Sequence, residues 1–362
     1  MTSHWIYLTE GLHVFRSSLR LKADGFTEYD GNAKAICGQI VEDCWNGRFF
    51  QTSTTNFPQF WTRDFGWCTA SLLKLGYTEE VGKTLRYALD IFSQHGKLTT
   101  TISLRHTPFD FPKQAVDSLP WLLHSLALAD NGELVEPFRP FLENETEKLV
   151  AIAVDQTTGL VKPKHFSSIK DFAIRKSSCY DTCMLALLSQ SLGKLRLANP
   201  LRDFDYEKLL REHYWNGRFF YDDLAKQDYV AADANIFPFA LGIISDRSML
   251  RSALGQVHLA GLDHPLPVKY TSKSAPVRFI WQERLMRGYE RDATWLHLGP
   301  LYIALLSKID RQQAQQHLGR YTRMIERYKT YPEVLTPAGK PFTSPFYHCD
   351  QGMLWAANYL TL

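Results

Sequence analysis

Apolar residues recur at three- and four-residue spacing along most of the chain, while sustained two-residue alternation is scarce, so the pattern predicts helix after helix. The predicted helices fall near 33–45, 64–77, 79–95, 116–130, 133–154, 180–196, 205–213, 231–245, 247–256, 291–308, 311–328 and 348–361. Longer irregular stretches near 46–62, 97–115, 156–179, 214–230, 257–290 and 329–347 alternate with tight turns such as Gly76-Tyr77-Thr78 and Asn131-Gly132. Long loops at every second connection would gather on one face of a helical barrel, and long ordered loops are where sites are built.

One internal repeat is visible in the letters. Cys44-Trp45-Asn46-Gly47-Arg48-Phe49-Phe50 returns as Tyr214-Trp215-Asn216-Gly217-Arg218-Phe219-Phe220, each copy following a predicted helix. Trp and Phe would pack under the turn while Gly permits its backbone. Twelve helices with a halfway repeat suit an all-α fold, a closed (α/α)6 toroid of six hairpins in which the same corner is met half a revolution later. An open solenoid is the alternative, but it would repeat every ~30–50 residues, and no such short period is present. No Gly/Ser-rich or Pro-rich linker divides the helices, which predicts one domain over 31–362 behind an N-terminal extension, 1–30.

Composition narrows the ligand. Aromatic residues make up 13% of the chain, and flat rings serve sugars as well as cores. A net charge of +3, without a long Lys/Arg run, argues against nucleic acid or an anionic membrane as partner and for a neutral or weakly charged ligand. The first 22 residues break their apolar positions with charges too often for a signal peptide, and no apolar run is of membrane length, so a cytoplasmic protein is expected. Cys37, Cys44, Cys68, Cys179, Cys183 and Cys349 show no CxxC spacing, which predicts neither a disulfide frame nor a zinc site. Cys179 and Cys183, one helical turn apart, read as core. With no Gly-rich phosphate loop, no nucleotide is expected; no cofactor and no metal enter the reading, and association into a homo-oligomer is left open.

Hydrolysis of a glycosidic bond without a metal needs two carboxyls, one protonated to donate to the leaving oxygen and one ionised to activate water. By position in the long loops the candidates are Asp64, Asp110, Asp117, Asp171, Asp181, Glu283, Glu290, Asp292 and Glu333.

Several of these lie in segments with a family likeness. Phe60-Trp61-Thr62-Arg63-Asp64-Phe65-Gly66-Trp67 resembles the Arg-Asp segment of the six-hairpin glycosidases, the clan of glucoamylases, trehalases, processing glucosidases and neutral/alkaline invertases. Ala115-Val116-Asp117-Ser118-Leu119-Pro120-Trp121-Leu122 is similar to the invertases' Pro-Val-Asp-Ser segment; read alone, Asp117 would be a helix N-cap. Ser168-Ile169-Lys170-Asp171-Phe172-Ala173-Ile174-Arg175 resembles the place where this clan puts its general acid; read alone, Asp171 is a loop carboxylate or a partner of Lys170. Tyr331-Pro332-Glu333-Val334-Leu335, followed by Cys349-Asp350-Gln351-Gly352-Met353-Leu354-Trp355, resembles the clan's base loop, with Val334 and Leu335 replacing the invertases' paired aromatics. Asp228-Tyr229-Val230-Ala231-Ala232-Asp233-Ala234-Asn235 and Gly288-Tyr289-Glu290-Arg291-Asp292-Ala293-Thr294-Trp295 keep the same order, the latter resembling a Trp-bearing loop that lines the sugar pocket.

The resemblance implies roles. Arg63 and Asp64 grip hydroxyls of a terminal sugar; Trp61, Trp121, Trp281 and Trp295 supply stacking walls; Asp117, Glu290 and Asp292 join the substrate contacts, the last two in reserve as base. Asp171 is the general acid and Glu333 the base of an inverting, exo-acting enzyme on a small, glucose-type saccharide. Two other readings stand beside it. A sugar epimerase on the same barrel would use His106, His165, His297 or His348. A non-catalytic carbohydrate-binding protein would use its carboxylates as caps.

Overall fold

Side-chain capping divides most of the helices into two sets; Thr78–Gln94 and Arg139–Ala153, also uncapped, stand outside both. In the computed structural model, which describes residues 3–130 and 132–362, α2 (Ala33–Cys44), α9 (Tyr206–His213), α11 (Arg247–Leu259) and α13 (Arg311–Tyr328) start behind Asn32, Asp205, Asp246 and Asp310, whose side chains accept first-turn N–H groups. By contrast α3 (Thr62–Lys74), α5 (Ser118–Ala129), α10 (Ala232–Ala240), α12 (Leu298–Ser307) and α14 (Ala356–Leu360) start without a side-chain cap, after Trp61, Asp117, Ala231, His297 and Trp355. Only α8 (Cys179–Lys194) of that second group has one, from Ser178.

Burial follows the same division. Residues 179–188 of α8 and 232–239 of α10 are buried without a break, so these helices are covered on every side. On α13 only Ala314, His317, Tyr321, Met324 and Ile325 are buried, the single stripe of a helix with one wet face. The uncapped group and α8 pack in chain order, α3 on α5, α5 on α8, α8 on α10, α10 on α12 and α12 on α14, and α14 returns to α3. Outside them, α4 (Thr78–Gln94) lies on α3 and α5, α9 on α8, α11 on α10, α13 on α12, and α2 on α14.

The repeated turn has one geometry in both places. Asn46 Oδ1 accepts from Arg48 N and Phe49 N at 3.0 and 2.9 Å, and Asn216 Oδ1 from Arg218 N and Phe219 N at 2.9 Å each. Gly47 and Gly217 take φ of +85° and +94°, values an L side chain resists. The rings of Trp45 and Phe50 sit 5.2 Å apart, those of Trp215 and Phe220 4.9 Å. One copy leads from α2 to α3 and the other from α9 to α10, the first and fourth helices in that packing order.

Differences from the sequence expectation have local causes. The span 133–154 is broken into α6 (Gly132–Val135), a 3₁₀ turn (Glu136–Phe138) and α7 (Arg139–Ala153), with Pro137 and Pro140 at the starts of the last two; of the predicted turn beside it, Asn131 lies outside the described residues. The span 291–308 becomes helical only at Leu298, because Thr294–Trp295 pairs as a strand with Val334–Leu335. The span 348–361 is helical only over Ala356–Leu360. The extension is not featureless: Ser3–Asp24 forms a helix, α1, that buries Ser17, Ser18 and Leu21 and whose Tyr7 hydroxyl donates to the Asp110 carbonyl at 2.7 Å. Short strands at Phe60–Trp61, Thr101–Ile102 and Pro108–Phe109, and the pair Ala173–Ile174 with Arg278–Phe279, tie the long loops together. No helix among the described residues is long and apolar enough to cross a membrane.

Candidate active site

The loops ahead of the ring helices bring one cation among several buried carboxyls. Arg63, on the first turn of α3, holds Asp117 through Nε at 2.6 Å and Nη2 at 3.3 Å, and the same Nη2 lies 3.3 Å from Asp171 Oδ1. Asp117 also accepts from the Tyr180 hydroxyl at 3.0 Å. Asp171 accepts from the Ser167 hydroxyl, and its side chain keeps 19% of its surface exposed. Its backbone is fixed from below: the Glu290 carboxylate accepts from Asp171 N at 2.7 Å, Phe172 N at 2.8 Å and Ala173 N at 3.2 Å, and the Tyr270 hydroxyl donates to the Ile169 carbonyl at 2.9 Å.

Glu333 is held differently. It is 2% exposed and accepts from the hydroxyls of Tyr289 and Tyr347 and from Asp350 N at 3.0 Å. Asp350 in turn takes Ser53 Oγ, Asn56 N and Phe57 N. Asp64 Oδ1 accepts from Trp355 Nε1 at 3.0 Å.

Burial dominates the proton affinities. It pushes Asp64 up to about 7, against the pull of Arg63, and the charges of both Asp171 and Glu333 add to that rise. Asp64 therefore lies within the fields of both groups. Burial likewise raises Asp171, with Arg63 and the Ser167 hydroxyl opposing and Asp117 reinforcing. It raises Glu333 against the three hydrogen bonds that favour its charged form. Glu290 is lifted to about 8 by burial and by Asp171, and Asp350 to about 7 by burial, with Glu333 adding to the rise. Burial thus raises the proton affinity of Asp64, Asp171, Glu290, Glu333 and Asp350 alike.

Two indole donors, Trp61 Nε1 and Trp67 Nε1, and one imidazole nitrogen, His297 Nδ1, are buried without a protein partner among the described residues. The Trp67 and His297 rings stack at 4.2 Å with 9° between planes, and His297 also meets Trp355 and Trp295 edgewise. Burial and Arg63 hold His297 well below the usual imidazole range, so it is neutral.

Several expected site residues have other work in this structure. Asp117 occupies the N-cap position of α5 without capping it, because its oxygens are engaged by Arg63 and Tyr180. Glu290 has both oxygens on backbone N–H groups and so supports the Asp171 loop. Trp121 is 4% exposed, donates to the Tyr180 hydroxyl at 3.1 Å and backs against Gly66, where a Cβ would meet it at 2.7 Å; it is wall material inside the ring. Trp281 is 66% exposed near Phe172, whose carbonyl accepts from Ile280 N. Asp292 lies 3.5 Å from the position a Gly288 Cβ would take. Asp110 pairs with Lys97, and Glu283 accepts from Gly288 N, both apart from the cluster. Asp181 faces Arg175 in a second buried group, where Lys170 Nζ lies 3.0 Å from both Asp222 and Asp233.

Tyr289, Asp350 and Trp355 lie inside segments whose likeness is visible in the sequence, so only their roles are new. Trp67 likewise ends the Arg-Asp segment, whereas Tyr347, Ser167 and Tyr270 carry no spacing signal that distinguishes them from core aromatics or loop serines. A surface cavity of about 290 Å³, lined by Leu98, Ala115, Glu145 and Ile152 among others, shares none of the clustered carboxyls.

No protein-family profile and no curated protein matches the sequence. Solved structures do match the fold. A protein described as a glycosidase, solved as wild type and as single-residue variants, one in complex with glucose, superposes with TM-scores of 0.60 to 0.65 at 13–14% identity, covering 99% of this chain and 97% of that one. A rhamnosidase from Klebsiella oxytoca with rhamnose bound gives 0.63 at 11% identity over 92% of this chain, which spans 65% of that enzyme's length. An uncharacterized conserved protein from Thermus thermophilus gives 0.63 at 11% identity, covering 92% of this chain and 100% of that one. At such identities the likeness establishes a shared, mostly helical architecture.

Proposed function

We propose that this chain is a metal-independent glycoside hydrolase on an (α/α)6 toroid, which releases a terminal neutral sugar from a small saccharide with inversion. One observation carries the reading. Asp171 and Glu333 precede α8 and α14, the third and sixth members of the ring, so they come from opposite sides of it, and the Asp64 carboxyl lies in the field of both.

In this reading Asp171 carries a proton to the glycosidic oxygen, kept on it by burial and by the neighbouring carboxyls. Arg63 opposes this only in part, because Asp117 engages it more closely than Asp171 does. Glu333 takes a proton from water on the other face of the ring, and two phenols and one amide favour its ionised form without bringing in a cation. Arg63 and Asp64 bind hydroxyls of the sugar, Trp61 and Trp67 offer their indole N–H groups, and Trp295 and the more exposed Trp281 line the approach. Inversion requires the two carboxyls about 6.5–9.5 Å apart, with water between. The fold likeness to glycosidases, two of them solved with glucose and with rhamnose, supports a sugar ligand. Of the histidines an epimerase would need, His106 pairs with Tyr87 and the His348 ring packs on Phe26, while His297 stacks on Trp67 beside the cluster.

Assay of Asp171→Asn and Glu333→Gln against a panel of disaccharides and rhamnosides, with the anomer of the first product read by NMR, tests the proposal. Activity of the wild type on at least one substrate, loss in both variants and an inverted anomer are expected. Full activity in either variant would sink the assignment, and a retained anomer would sink inversion.

A further inference from the structure

Outside the carboxyl cluster, one group of side chains has metal-ligand character and no part in the proposed chemistry. His258 stands on the last turn of α11, and Asp263 and His264 follow after a turn at Gly261, whose φ is +67°. His258 Nδ1 lies 2.9 Å from Asp263 Oδ2 and His264 Nδ1 2.6 Å from Asp263 Oδ1. The two imidazole nitrogens and the carboxylate lie within 4.8 Å of one another. We propose that His258, Asp263 and His264 form a site for one divalent transition-metal ion of the zinc class.

The shape of the site argues for coordination as well as hydrogen bonding. Asp263 is fully buried and held from inside, its Oδ2 taking the Tyr302 hydroxyl at 3.1 Å and lying 3.4 Å from His317 Nε2. Such inner partners orient a ligating carboxylate. His258 and His264 are 47% and 50% exposed on the outer side, so an ion can enter and keep water in its remaining positions. Among the described residues every ion pair of Asp263 is with a histidine, and Lys269 reaches it only through its field. Two imidazoles with one carboxylate suit Zn²⁺, Co²⁺ or Ni²⁺, whereas Mg²⁺ and Ca²⁺ prefer all-oxygen shells. Zinc binds such atoms at about 2.0–2.2 Å, so the two nitrogens need only draw back slightly from the carboxylate to admit it. A bound ion would staple the end of α11 to the segment that continues through Lys269 to Tyr270, the residue that holds the Ile169 carbonyl.

The test is equilibrium dialysis of the chelator-stripped full chain against ZnCl₂, CoCl₂ or MgCl₂, with melting temperature followed in parallel. One zinc per chain, a visible absorption band with cobalt, no magnesium and a metal-dependent rise in melting temperature are expected. In His258→Gln/His264→Gln the side-chain amides can still donate to Asp263, so the metal-free melting temperature stays near wild type while zinc binding and its shift disappear. His95→Ala, on an exposed histidine elsewhere, keeps both. Less than one zinc per chain in the wild type, or one zinc retained in the double glutamine variant, would show that the cluster is a hydrogen-bonded network only. Neither result depends on hydrolysis.

Discussion

The loops ahead of α8 and α14 hold their carboxyls by opposite means. Behind Asp171 the support is ionic: Lys170 is fully buried between Asp222 and Asp233, and Arg175 reaches Asp233 at 3.2 Å and Asp222 at 3.6 Å. Behind Glu333 the support is neutral, two phenols and a backbone amide, with Ser53 on the neighbouring Asp350. Neutral donors favour a carboxylate's charge without fixing a counter-charge beside it, which suits a base that must gain and lose a proton. An ion-pair lattice instead fixes a loop's position with contacts that are expensive to leave half-made. Under the proposed function the neutral side takes up a proton and the ionic side holds its loop in place.

The largest effect concerns the leaving group. Asp171→Asn should lose about 10²–10⁴-fold on a disaccharide but far less on an aryl glycoside whose phenol departs unaided, whereas Glu333→Gln should lose that much on both. Matched losses by the two variants across a series of leaving groups would break the acid and base assignment. Next comes the lattice. Lys170→Met removes a cation shared by two buried aspartates and should cost about 3–5 kcal/mol in denaturant unfolding. Without Lys170 the folded-state proton affinities of Asp222 and Asp233 rise, so the deficit should be largest at neutral pH and shrink as acid protonates them. A deficit that does not vary with pH would mean that lost packing, and not unpaired charge, is responsible.

The neutral side should answer in catalysis more than in stability. Tyr347→Phe removes a donor that lowers the proton affinity of Glu333, so that affinity should rise. A base must be ionised, so the acid limb of the kcat/KM profile should move to higher pH, with about a tenfold loss on the acid side and little above it. Should the limb stay in place while kcat falls uniformly, Tyr347 would be shaping the pocket and not tuning the base.

What could be read from the letters depended on whether a signal was local. The starts of α3 and α5 were legible because Arg63-Asp64 and Asp117 each sit where a long loop meets an apolar period, whereas α12 and α14 begin later than their apolar periods suggest. The support behind the site carboxyls was not legible, since Glu290 reaches Asp171 and Tyr347 reaches Glu333 only after the chain has closed. Helix α1 is hard to read for a physical reason: Ser17 and Ser18 are buried, while Trp5, Leu8, Leu12, Phe15 and Leu19 are exposed, so its apolar period reports the outer face. The His258–Asp263–His264 group carries no clear signal in the letters because its third contact, His317, lies on another helix.

The smallest effect tests the internal repeat itself. At Gly47 and Gly217 an added Cβ meets nothing within 4 Å, so alanine there costs only the left-handed backbone, about 1 kcal/mol each. The anchors beneath the two turns differ, Phe50 N donating to Thr84 Oγ1 and Phe220 N to Asn235 Oδ1. If the turn is set by its own seven residues, Gly47→Ala and Gly217→Ala should lower the unfolding free energy equally, and the double variant by their sum, the sites being far apart. Unequal losses would place part of the turn's conformation in those anchors, making the repeat a likeness of sequence more than of energy.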